Sequence, residues 1–89
     1  MNTAKYIVTG SGSMIVFSAA IIHKEFEDLN PVSAGFISFS TGEDGEVVAN
    51  CHGESISLGI KSNPEKDNRI AKFQILAKPC NTEKWFHNY

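Results

Sequence analysis

The chain has 89 residues, of which 42% are apolar and 20% charged, with a net charge of −2. Such a composition belongs to a folded globular chain and excludes a disordered or low-complexity segment. The pI near 5.8 argues against nucleic-acid binding, because phosphate recognition draws on a basic surface.

At this length the expectation is one domain over residues 1–89, with a modest stability reserve. The longest apolar run, Met14–Ile22, is interrupted by Ser18 and falls short of the roughly 18–20 residues of a membrane span. It also lacks a basic flank and a small-residue cleavage site, so neither an anchor nor a signal peptide is expected. The two cysteines, Cys51 and Cys80, are too few for a secreted disulfide scaffold and read as reduced thiols of a cytoplasmic protein. Cys51 reads as a small core residue on a strand.

In chain order, Ala4–Thr9 reads as a strand, since Tyr, Ile, Val and Thr favour extended backbone. Gly10–Ser13 makes a turn and Met14–Phe17 returns as the second strand. The same Gly-Ser-Gly-Ser run superficially looks like a phosphate loop, but a strand follows it where such a loop needs a helix. His23–Leu29 places Phe26 and Leu29 three apart among charges, which suits one or two helical turns. Asn30–Pro31 ends that segment. His23 reads as a surface or helix-start residue.

Gly35–Ser40 is the third strand, and Thr41–Gly45 holds an Asp-Gly turn signal. Glu46–Cys51 is the fourth strand, followed by a reversal or bulge at Gly53. Ile56, Leu58 and Ile60 alternate with Ser57 and Gly59, the pattern of a fifth strand with one wet face. Asn63, Pro64 and Glu65 then write a helix start: a capping residue, a proline at the first position and an acid in the first turn. The helix should run over Pro64–Leu76, with Ile70, Phe73 and Ala77 on one face. Ile75 falls opposite unless the helix loosens before it. Pro79 stops the element.

These elements predict an α+β fold: a small, mainly antiparallel five-stranded sheet with one C-terminal helix packed on one face. The expected core takes Tyr6 or Ile7, Val8, Ile15, Phe17, Phe36 or Ile37, Val47, Cys51, Ile56, Leu58, Ile60, Ile70 and Phe73.

Charge is unevenly spread. Residues 1–60 carry a net −5 and residues 61–89 a net +3. A solvated basic helix accounts for this, as does a polar molecule that associates through complementary fields.

The densest set of reactive side chains is His52, Glu54, Ser55 and Ser57, gathered around Gly53. Were the chain to turn there, His52 could approach a serine hydroxyl, the contact a base-activated nucleophile needs. No nucleophile elbow or other hydrolase motif accompanies these residues. They stand as ligand-contact candidates, with no residue assigned a catalytic role. Cys51, His52, Cys80, His23 and His87 lack the close pairs of a zinc site, so neither metal nor cofactor is expected.

Trp85, Phe86 and Tyr89 concentrate three aromatics in the last five residues and are the partner-contact candidates. The leading functional expectation is a small non-enzymatic cytoplasmic accessory protein, of the kind phages and mobile elements encode. It would act by contact with another protein or with itself as a homodimer, and neither on a membrane nor on nucleic acid. The alternative is a small-ligand-binding or hydrolytic protein using His52–Ser57.

Overall fold

The computed structural model describes residues 3–77, and every structural statement below concerns those residues. β1 (Thr3–Thr9) and β2 (Met14–Phe17) form the first hairpin. Its turn is closed by Thr9 N–H to Ser13 O and Gly12 N–H to Thr9 O, both at 2.9 Å. Gly12 sits at φ +89°, where a side chain would be strained. β3 (Pro31–Thr41) and β4 (Val47–His52) form the second hairpin. The strand order is β2-β1-β3-β4, antiparallel throughout. β4 and β2 are therefore the two outer strands.

The helix α1 (Pro64–Ala71) begins with Pro64 in its first turn and Glu65 beside it, as the sequence predicts, but the Asn63 side chain makes no capping bond and its backbone N–H donates to Asp67 instead. The helix continues through a wider turn, Lys72–Leu76, in which Ala77 N–H reaches back to Lys72 O. Of the two outcomes open for Ile75, an exposed apolar residue or a loosened helix, this widening is the second. It turns Ile75 onto the sheet, where it packs against the core. The helix face of the sheet supplies Tyr6, Val8, Met14, Ile37, Ala49 and Cys51, closed by Ala71.

The opposite face is covered as well. Ile7, Phe17 and Ala34 are capped by Phe26, from the 3-10 segment His23–Leu29, and by Leu58 and Ile60. His23 is buried here and not on the surface: its ring stands edge-on to Phe17 and Phe36, and Nε2–H donates to Gly35 O at 2.8 Å. A backbone acceptor and two aromatic edges satisfy the imidazole, which makes its burial tolerable.

Among the described residues the expected fifth strand of the sheet is not formed. The chain instead makes a small separate hairpin, β5 (Glu54–Ser55) with β6 (Ile60–Lys61), and residues 56–59 form its turn. Ser55 Oγ accepts Leu58 N–H, Gly59 N–H donates to Ser55 O, and Gly59 adopts φ +68°. The apolar alternation is thus a turn with Ile56 at its tip, 91% exposed. Phe73 and Val47 also leave the expected core, at 70% and 47% exposure. The inward stripe of the helix is fixed by Asp67 and Ala71, which rotates Phe73 outward, and Val47 lies on an outer strand beyond the helix's cover. Among the described residues no helix is long and apolar enough to cross a membrane, a statement that does not bear on β-barrels.

Candidate functional site

The His52–Ser57 segment does not converge. His52 ends β4, is exposed, and stacks on Phe36 with ring centroids 6.1 Å apart. Gly53 at φ +77° then turns the chain away. Glu54 is exposed and pairs in register with Lys61, while Ser57 is exposed in the turn. Ser55 is buried, and its hydroxyl serves the turn: it accepts Leu58 N–H at 3.2 Å and lies 3.4 Å from Ser57 Oγ. Among the described residues no contact joins the His52 imidazole to either serine, so the base–hydroxyl pair that nucleophilic catalysis needs is not assembled here. Three amides of the Gly10–Ser13 turn are spent within the fold: Gly10 N–H bonds Asn30 O, Gly12 N–H bonds Thr9 O and Ser13 N–H bonds Thr9 Oγ1. Among the described residues no three His, Cys, Asp or Glu side chains cluster in a metal-binding arrangement. Trp85, Phe86 and Tyr89 lie outside the described residues.

The most concentrated buried chemistry is a network that joins helix to sheet. Asp67 is fully buried. Its Oδ2 accepts the Tyr6 hydroxyl at 2.5 Å and Asn63 N–H at 2.9 Å, and its Oδ1 accepts the Ser33 hydroxyl at 3.1 Å. Burial and the hydrogen bond to Asp67 push the Tyr6 phenol far above its ordinary value. Burial, with the nearby Asp67, also raises the Cys51 thiol to about 11. A phenol and a thiol held this firmly in their protonated forms are poor bases and nucleophiles. The network is closed on all sides and acts as a structural latch. Sequence reasoning could place Asp67 in the first helical turn, but not its partners Tyr6 and Ser33, which lie 61 and 34 residues away.

The open feature is at the edge of the sheet. A groove of about 780 Å³ runs between β4 and the helix, with Val47, Val48 and Ala49 on one wall and Arg69, Lys72 and Leu76 on the other. Cys51 N–H donates to Asn68 Oδ1 at 2.7 Å, so it points away from β3. By the alternation of an antiparallel ladder, Val48, Asn50 and His52 bond β3, while Val47 and Ala49 turn their N–H and C=O groups outward into the groove. Val47 and Val48 are 47% and 46% exposed. A flat, apolar outer strand without charge, proline or bulge at its centre is a template for another strand.

Compared with protein-family models, curated proteins and solved structures, the chain matches none.

Proposed function

We propose that this chain is a small non-enzymatic cytoplasmic protein that acts by protein–protein contact, taking an extended segment of its partner onto the free edge of β4. The observation that carries this reading is the outward-turned backbone of Val47 and Ala49 beside an apolar groove. Main-chain pairing supplies affinity in strand addition, and pockets for alternate side chains supply selectivity. The groove is floored by short apolar side chains, with Leu76 above and the cations Arg69 and Lys72 along the helix wall. Trp85, Phe86 and Tyr89 remain, in this proposal, further contact residues for the partner.

The test compares the wild-type chain with Val47→Pro, each purified from its own host cells and weighed intact by native mass spectrometry. Proline removes an N–H that serves no partner in the sheet, and outer strands tolerate it in that orientation. The expected result is a protein complex formed by the wild type and lost in the variant while its circular dichroism is unchanged. A wild type that enters no protein complex, or a complex indifferent to the substitution, overturns the reading.

A further inference from the structure

Resting on the reading above, we infer that the strand which β4 accepts is the β4 of a second copy, paired antiparallel about a two-fold axis at Val48. The length of usable edge selects this register. Asn68 already occupies Cys51 N–H, so among the described residues the open amides of the β4 edge are those of Val47 and Ala49. Two such edges complement each other in one antiparallel arrangement that uses both residues of each copy. Val47 faces the partner copy's Ala49, and each such pair exchanges both of its N–H···O=C bonds. Val48 then meets its own image as the non-hydrogen-bonded pair on the outer face, burying two half-exposed valines against each other.

Charge favours the same partner. The axis at Val48 sets Glu46 beside Asn50 of the partner copy and carries the acidic turn, Glu43 and Asp44, toward the helix wall that bears Arg69. The acidic turn of each copy then meets the Arg69 and Lys72 wall of the other, a self-complementary contact as a two-fold axis requires. The other outer strand does not compete. On β2, a strand of four residues, the Met14 N–H is held by Gln74 Oε1 at 2.8 Å, which leaves a shorter edge than that of β4.

The experiment uses the full chain carrying Cys80→Ser, so that buried Cys51 is the one native thiol left. Sedimentation equilibrium across a concentration series is expected to show a reversible dimer. Adding Val48→Cys and oxidising with glutathione is expected to give a covalent dimer, because non-hydrogen-bonded antiparallel pairs bring Cα atoms to a separation a disulfide can span. Val48→Glu, a half-exposed position where the fold should be undisturbed, is expected to weaken the dimer about tenfold by setting like charges face to face. A strict monomer overturns the inference. So does a dimer that survives Val48→Glu and fails to cross-link when it carries Val48→Cys. A monomer that nonetheless forms a Val47-dependent complex with a different protein in host cells overturns the second-copy inference and leaves the strand-addition reading standing.

Discussion

Asp67 accepts three hydrogen bonds without meeting solvent, and each donor comes from a different part of the chain. Truncating it strands two hydroxyls and an amide at once. Asp67→Ala should therefore lower unfolding free energy by about 3 kcal/mol or more in urea titrations. Tyr6→Phe removes one donor, leaves the carboxyl two partners, and should cost about 1–2 kcal/mol. Cys51 makes a prediction in pH. Its folded pKa, about 11, lies above the ordinary value of 9, so the folded chain keeps a proton that the unfolded chain releases. Stability from this group is whole below pH 9 and falls as pH climbs toward 11, and Tyr6 acts in the same direction at higher pH. Melting temperature plotted against pH should decline over that window, with a shallower slope in Cys51→Ala. These residues show what sequence alone can and cannot reach. The burial of Cys51 was legible from the apolar period of its strand. The company kept by Asp67 was not, because nothing local distinguishes it from an ordinary acid in a first helical turn.

At the scale of elements, the legible parts are those made by neighbours in sequence. Glycine and Asx residues write the two hairpins, and Asn63-Pro64 writes the start of α1, where a proline costs no hydrogen bond. Sequence misleads where two structures share one local pattern. Ser55 to Ile60 has the alternation of a strand, yet a hydroxyl bonded to Leu58 N–H and a positive-φ glycine make it a turn. The groove was beyond reach for a related reason: it is a gap between β4 and α1, and its width follows from how the helix docks. Two contacts between elements can be tested directly. Gln74 grips the first hairpin twice, accepting Met14 N–H at 2.8 Å and donating to Gly12 O at 2.7 Å. Gln74→Ala should cost about 1–2 kcal/mol and speed hydrogen exchange at the Met14 amide by NMR. Gly35 lies against the backbone of His52, so that a methyl group there would collide with the His52 carbonyl. Gly35→Ala should destabilise the fold by about 3 kcal/mol in thermal or urea melts, far more than the same change at an exposed strand glycine.

For the whole molecule, the sheet is enclosed on both faces but unequally at its rims. The helix lies across one face and the 3-10 segment and small hairpin across the other, and Val47 and Val48 stay half-exposed along the β4 rim beside the groove. Pairing through an edge flanked by charges of both signs should respond to ionic strength. Dimer dissociation measured by sedimentation is expected to increase between low and physiological salt, since the acidic turn and Arg69 lie at the solvent-exposed margin. The two amides that α1 and its wider last turn extend, Asn68 toward β4 and Gln74 toward β2, reach opposite rims of one sheet. A single helix thus caps one backbone amide on each border. Should it lift away, even briefly and with the strands intact, both rims lose their guards in the same event. The resulting four-stranded ribbon could add neighbours on either side and grow without limit. Long-term solubility would then be governed by how often the helix undocks, and much less by how often the chain unfolds.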